Sequence, residues 1–254
     1  MSKYSAKRRD EIKQLLITEK RVEVKDLAKK FSVTTETIRT DLEYLEKSGE
    51  CTRTHGGAVF QRQTSEASMD LRKKDRISTK RLLAKEALQF IDDGSLIYID
   101  NASTSLPLAT LLNTKRNCTI VTDSIELVNE LYESSHEIYL LGGAVSKKAR
   151  RTAGDYTLKM IQSFFFDVCI LGMDGCHNTL APANMNIEEV ILNDRILKQS
   201  DYAILICDES KFKTNSRYKF ADFDEFDCLI TTHIPKDMRQ YVSTKKIIEI
   251  GEAQ

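Results

Sequence analysis

Four short polar runs, each placed directly after an apolar run, carry the residues best suited to hold a ligand. Asp100-Asn101-Ala102-Ser103-Thr104 follows Leu96 to Ile99 and leads into a helical pattern, where hydroxyls and the free amides of a helix start grip an anion such as a phosphate. Thr122-Asp123-Ser124 also opens a helix, and Gly142-Gly143 follows Leu141 at a place where backbone approaches a ligand closely. Asp208-Glu209-Ser210-Lys211 follows Cys207 and offers a carboxylate for hydroxyls beside an ammonium for a phosphate. Each run also has a local reading: Ser and Thr after a strand cap helices, paired glycines turn the chain, and Asp-x-Ser-Lys is a solvated loop.

Catalytic and metal chemistry find less support. His55, His136, His177 and His233 sit on unrelated loops, and neither G-x-S-x-G nor G-x-x-x-x-G-K-[ST] occurs. The six cysteines form no C-x-x-C pair, which leaves reduced thiols as the expectation and no metal, cofactor or catalytic residue to assign. The longest apolar stretch, Ser163 to Met173, contains Asp167 and falls short of the ~20 residues that cross a bilayer. No apolar core follows the basic N-terminus, so the expectation is a cytoplasmic protein without a membrane partner.

The elements that position these runs alternate. Leu96 to Ile99, Thr119 to Thr122, Ile138 to Leu141, Val168 to Leu171, Tyr202 to Cys207, Cys228 to Thr232 and Ile247 to Ile250 read as buried strands. Amphipathic segments such as Ser124 to Leu131 and Ile187 to Gln199 lie between most of them. A helix capped by Ser78 and carrying Leu82, Ala84, Ala87, Phe90 and Ile91 precedes the first strand. The pattern is that of an α/β domain with parallel strands and helices on both faces, over residues 78–254. In such a sheet ligands bind outside the carboxyl ends of the strands, so all four polar runs fall on one edge.

The first third of the chain differs. Met1 to Lys85 holds 21 Lys and Arg against 13 Asp and Glu, whereas Glu86 to Gln254 holds 17 against 25, so a neutral total hides a basic end suited to a polyanion. Ile12, Leu15 and Leu16 mark one helix, and Val24, Leu27, Ala28 and Phe31 a second with only Glu23 as its cap. A third starts at Thr34, with Val33 and Ile38 as a hydrophobic staple, and ends at Gly49. Its buried stripe of Ile38, Leu42 and Leu45 leaves a polar face outward, the arrangement of a helix-turn-helix. Two short extended runs around His55-Gly56-Gly57, a turn in which glycine supplies positive φ, add a wing. Residues 1–60 therefore read as a winged helix and 61–77 as a linker.

These residues resemble the DeoR-type bacterial transcriptional repressors. Phe31-Ser32-Val33-Thr34-Thr35-Glu36-Thr37-Ile38-Arg39-Thr40-Asp41-Leu42 is similar to that family's V-S-x-x-T-I-R-R-D-L helix, and Arg53-Thr54-His55-Gly56-Gly57-Ala58 to its R-x-H-G-G-A wing. Asp100 to Thr104 resembles D-x-G-T-T, Thr122-Asp123-Ser124 resembles T-N-S, and Asp208 to Phe212 resembles D-x-S-K-F. The resemblance implies a sensor domain related to phosphosugar isomerases and a repressor of carbohydrate operons that binds double-stranded operator DNA as a homo-oligomer, a dimer or tetramer. It places Thr34, Thr35, Glu36, Thr37, Arg39, Thr40, Arg53, His55 and Gly56 at the DNA. A phosphorylated sugar effector would meet Asp100, Asn101, Ala102, Ser103, Thr104, Thr122, Asp123, Ser124, Gly142, Gly143, Asp208, Ser210 and Lys211. The chain departs from the pattern at Thr40 for a second arginine, Ala102 for glycine and Asp123 for asparagine, the last placing a carboxylate where it would repel a phosphate. The rival reading is an isomerase-like enzyme in which Asp208 or Lys211 moves a proton.

Overall fold

A computed structural model describes residues 3–60 and 69–251 and falls into two compact units, Met1–Arg76 and Ile77–Gln254. The first contains α1 (Lys3–Glu19), β1 (Arg21–Glu23), α2 (Val24–Phe31), α3 (Thr35–Lys47), β2 (Cys51–Arg53), β3 (Gly57–Phe60) and α4 (Met69–Lys74). Ile12 and Leu16 of α1, Leu27 of α2, and Ile38, Leu42 and Leu45 of α3 close one core. Beside it Arg8 Nε donates to Asp41 Oδ2 at 2.6 Å, and both side chains are largely buried, which ties α1 to α3.

The wing is a three-stranded antiparallel sheet in the order β1-β3-β2, so the hairpin pairs with an extra strand, β1, too short for periodicity to announce. Gly56 and Gly57 do not adopt positive φ, contrary to the sequence expectation. Gly57 is required for closeness instead: a Cβ there would lie 1.9 Å from the Val22 carbonyl oxygen, whereas one at Gly56 would meet only the flexible end of Glu23 at 3.0 Å.

The presumed linker 61–77 is corrected in part. Residues 61–68 lie outside the described residues, but α4 is helical and buries Met69. Arg9 donates to Asp75 at 2.9 Å and lies 3.8 Å over the Tyr44 ring, and Arg76 pairs with Asp10.

The second unit contains α5 (Ile77–Ala87), β4 (Leu96–Ile99), α6 (Leu108–Leu112), β5 (Thr119–Thr122), α7 (Ile125–Leu131), β6 (Glu137–Leu140), β7 (Ala144–Ser146) and β8 (Arg151–Ala153). It continues with α8 (Asp155–Ile161), β9 (Phe166–Leu171), β10 (Ala183–Asn184), α9 (Ile187–Lys198), β11 (Ser200–Cys207), β12 (Tyr218–Lys219), β13 (Cys228–Thr231) and β14 (Lys246–Glu249). Seven strands form a parallel sheet in the order β14-β13-β11-β9-β4-β5-β6. The chain builds outward from β4 through β5 to β6, then returns beside β4 as β9 and builds the other way. The order therefore reverses between β4 and β9, and in sheets of this kind ligands bind outside the carboxyl ends at such a reversal.

Both sheet faces are apolar because successive side chains alternate. Tyr98, Val121, Cys169, Leu171 and Leu205 pack with α9 on one side, while Ile97, Ile99, Ile120, Ile170, Ile204 and Ile230 pack with α5, α6 and α7 on the other. Helix α5 begins at Ile77, so Ser78 lies inside it rather than capping it, and its buried stripe uses Lys80, Leu83, Ala84 and Ala87 while Leu82 is exposed. All six cysteines are reduced and buried. Burial raises every thiol, Cys228 to about 11 and Cys51, Cys169 and Cys176 to about 12.

The two wing glycines give a discriminating pair. Gly57→Ala should destabilise the winged unit by about 2 kcal/mol or more through overpacking. Gly56→Ala should cost less than half of that, because only a surface side chain has to move. Thermal melts of the two variants compare them directly, and equal losses would contradict the backbone contact.

Candidate nucleic-acid interface and ligand crevice

Helix α3 is set by its cap. Thr34 Oγ1 accepts from the Thr37 amide at 3.2 Å and lies 2.9 Å from the Thr37 hydroxyl, which fixes the first turn. Burying Ile38, Asp41, Leu42 and Leu45 turns the opposite side to solvent, where Thr34, Thr35, Glu36, Arg39 and Thr40 are exposed and Thr37 half-exposed. Arg39 donates to Glu36 Oε2 at 3.1 Å; its partner is not Glu43, which binds Lys47 at 2.6 Å. The Thr40 hydroxyl is turned back on the Glu36 carbonyl at 3.1 Å. The wing presents Arg53, His55 and Gly56, all exposed, and the Arg53 amide donates to Glu46 Oε1 of α3 at 2.7 Å, fixing wing to helix. Two exposed guanidinium groups on one helix-and-wing surface suit phosphates and guanine edges.

In the second unit the loops after β5, β4, β9 and β11 lie side by side, bringing three of the four expected runs together, with Gly142 and Gly143 beyond them in the connection after the edge strand β6. Asp100 leads its loop inward. Its Oδ1 accepts from the Ala102 amide at 3.0 Å and the Ser105 hydroxyl at 2.7 Å, and its Oδ2 accepts from the Gly172 amide at 2.5 Å across the switch point. The carboxylate therefore braces protein loops rather than standing open to a sugar. Burial raises its pKa to about 6, against the opposing effect of these three donors, and the Asp123 charge adds to the rise.

Gly172, in the loop between those of Asp100 and Asp208, escaped sequence reading because a lone glycine after a strand reads as a turn. A Cβ on it would lie 2.5 Å from the Ala102 methyl, so the alanine that replaces the usual glycine fits against a residue with no side chain.

The polar side chains divide by their partners. Thr122 Oγ1 accepts from the Ser124 amide at 3.0 Å, and Ser124 Oγ caps α7 through the Leu127 amide at 3.2 Å. Asp208 Oδ1 accepts from the Ser210 amide at 2.9 Å, and Lys211 beside it is half-buried. Gly143 adopts φ 137°, and a Cβ on it would lie 2.4 Å from both the Ala153 carbonyl oxygen and the Thr157 hydroxyl oxygen. Ser103 and Thr104 are buried, and the Ser103 hydroxyl accepts from the ammonium of Lys80 at 3.0 Å. Lys80, 5% exposed on α5, was hidden among the surface lysines of a helix read as capped at Ser78.

Asp123 has its own counterion. Arg151 of β8, 1% exposed, approaches Asp123 Oδ2 at 3.5 Å and Glu189 Oε2 of α9 at 3.8 Å, and the Tyr98 hydroxyl donates to Asp123 Oδ1 at 3.1 Å. Burial raises the Asp123 carboxyl while Arg151 and Tyr98 oppose the rise. The hairpin that delivers Arg151 is fastened to the crevice. The Thr152 amide donates to the Asp123 carbonyl at 2.9 Å, the Ile125 amide to the Arg150 carbonyl at 3.0 Å, and Asn101 Nδ2 to the Ala149 carbonyl at 2.8 Å.

A winged helix and a parallel sheet carrying these motifs beyond its strand ends agree with the family comparisons. Residues 8–64 match the DeoR-like helix-turn-helix domain and residues 75–233 the DeoR C-terminal sensor domain. The chain belongs to the DeoR family. It is 30% identical, over 98% of its own length and 95% of the relative's, to a protein of Escherichia coli O157:H7 named for repression of the aga operon. It is also 28% identical, over 90% and 91%, to the glycerol-3-phosphate regulon repressor of Escherichia coli strain K12. Among solved structures it is similar to the sorbitol operon regulator SorC of Klebsiella pneumoniae, with TM-score 0.36, 12% identity and coverage of 94% and 99%. A ribose-5-phosphate isomerase complex matches with TM-score 0.40, 21% identity and coverage of 53% of each chain. As in other DeoR proteins, a DNA-binding unit precedes a sensor unit, and the named relatives are transcriptional regulators. Among the described residues no helix is long and apolar enough to cross a membrane.

Two outcomes are expected. Arg39→Ala should weaken operator binding by about 1 to 3 kcal/mol in gel shifts and relax base preference where the side chain reads a guanine. Asp100, whose folded pKa of about 6 exceeds its ordinary 3.8, contributes stability that is present below the unfolded value and lost as pH rises through the folded one. The stability advantage of wild type over Asp100→Ala should thus shrink between pH 4.5 and 7, by about 2 kcal/mol, in denaturant melts of the full chain.

Proposed function

We infer that this protein is a repressor that holds operator DNA with α3 and the wing as a homo-oligomer, a dimer or tetramer, and releases it when a phosphorylated sugar occupies the crevice of the second unit. The observation that carries the effector assignment is the Lys80 ammonium, buried against the Ser103 hydroxyl in the loop after β4. An ammonium buried beside a hydroxyl-rich loop is suited to join in holding an anion, because charge-assisted hydrogen bonds there are stronger than in water. Half-buried Lys211, two strands away across the sheet, supplies a second positive charge at the same edge.

The name of one relative supports this reading, since it is the repressor of a glycerol-3-phosphate regulon, and glycerol-3-phosphate is a phosphorylated polyol. One winged helix covers few base pairs, so the operator should carry repeated half-sites about 34 Å apart or at multiples of that spacing. Ligand acts by favouring the DNA-incompetent population, because equal affinity for both states shifts nothing.

A gel shift on operator DNA titrated with sugar phosphates, run beside a turnover assay, tests this function. Wild-type protein should leave DNA on adding the effector and convert none of the sugars. Lys80→Met and Lys211→Ala should keep operator affinity and raise the effector concentration needed for release by about tenfold or more, the scale of one charged hydrogen bond. Release by effector at the wild-type concentration from both variants would remove the anion assignment, and turnover of a sugar phosphate would support the isomerase-like reading.

A further inference from the structure

The parallel sheet has two edges, and they are finished differently. Strand β14 starts with exposed Lys246, ends with exposed Glu249 and keeps Ile247 and Ile248 half-buried between them, and charge on an edge discourages strand addition. Strand β6 pairs only with β5 among the described residues, and its Tyr139 and Leu140 are each 37% exposed, one on either face of the sheet. The Tyr139 ring is held there, edge-on to Phe164 at 5.6 Å, with its hydroxyl donating to Glu137 Oε1 at 2.8 Å. Two large apolar side chains on an open edge suit the addition of another strand.

The backbone decides how a strand can join. The Glu137 amide donates to the Cys118 carbonyl at 3.1 Å and the Leu141 amide to the Thr122 carbonyl at 2.8 Å, so Glu137, Tyr139 and Leu141 turn their polar groups toward β5. Because this direction alternates along a strand, Ile138 and Leu140 turn theirs outward. None of those four amide and carbonyl groups has a hydrogen-bond partner among the described residues.

Two such edges fit each other in a register that uses all four groups of each copy. With antiparallel strands and a two-fold axis at Tyr139, Ile138 lies opposite the partner's Leu140 and exchanges two hydrogen bonds with it, and the symmetric pair exchanges two more. Ile138 then packs on the partner's Leu140 on one sheet face and Tyr139 on the partner's Tyr139 on the other, so each cross-strand pair at the centre is apolar. Charge favours the same order. Exposed Glu130, Glu133 and Glu137 lie toward the amino end of this edge, and exposed Lys147 follows its carboxyl end, so the two-fold axis brings unlike ends together and keeps the acidic ends apart.

We propose that β6 is a self-association surface of the sensor unit, to which a second copy of this chain adds its own β6 antiparallel, joining two seven-stranded sheets into one. The proposal rests on the homo-oligomer reading above and adds the surface and its register.

Sedimentation of the full-length protein over a range of concentrations tests it. Wild type should associate. Ile138→Lys and Leu140→Glu each set a charge against an apolar residue at two symmetric places, and each should weaken association at least about tenfold. Mixing the two variants should restore it, because in this register the introduced charges face each other with opposite sign while the remaining Leu140 and Ile138 still pair. Thermal melts confirm folding, and should Ile138→Lys unfold, Leu140→Glu, at the more exposed position, decides alone. A folded variant that associates as wild type does overturns the proposal and leaves the homo-oligomer reading standing, as does a loss in both variants that mixing does not recover. Wild type that stays monomeric throughout removes both and leaves this edge to a strand of another protein.

Discussion

The second unit is organised around one carboxylate placed where the sheet reverses. Asp100 receives an amide from Ala102 and a hydroxyl from Ser105 on its own loop, and an amide from Gly172 in the loop after the strand across the reversal. The two half-sheets meet as β4 and β9, but their hydrogen bonds end at the strand tips, and beyond the tips this carboxylate continues the connection. Its desolvation is the cost of that connection, and three donors offset only part of it. The positions of Ser103 and Thr104, and so of anything bound to them, follow from the same carboxylate.

Two substitutions that looked unfavourable in isolation prove to be halves of compensated pairs. Ala102 brings a methyl group into a tight turn, and Gly172 lacks the atoms that would collide with it. Asp123 brings a charge into a buried crevice, and Arg151 answers it from a hairpin almost thirty residues later. The first unit shows the same economy: Asp41 interrupts the apolar stripe of α3, and Arg8 from α1 neutralises it. A buried pair of this kind adds little net stability, but it penalises any packing that would separate its members.

Legibility in the sequence followed the length scale of the signal. The seven parallel strands were readable because each is an apolar run bounded by turn residues, and the cap at Thr34 because its chemistry is local. The three-residue strands β1, β7 and β8 were not, since so short a run has no measurable period. Nor were Lys80, Gly172, Arg151 and Glu189, whose significance lies in partners 23 to 72 positions away for the contacts described. Composition marks a lysine on a helix as a surface residue, and only packing shows that this one points inward. The wing glycines were read as supplying positive φ to the turn, which neither does; Gly57 is needed for its close approach to a strand earlier in the chain, and such a contact has no local signature.

The buried cysteines carry a last consequence. With every thiol packed out of solvent and pushed toward its protonated form, the folded chain offers almost no thiolate to oxidants or alkylating reagents. Their distribution is uneven: Cys51 stands alone in the winged unit, and the other five are spread through the sheet and its flanking loops. Modification of Cys51 therefore records the opening of one unit and modification of the other five that of its neighbour, so the chain carries two separate internal clocks for local unfolding.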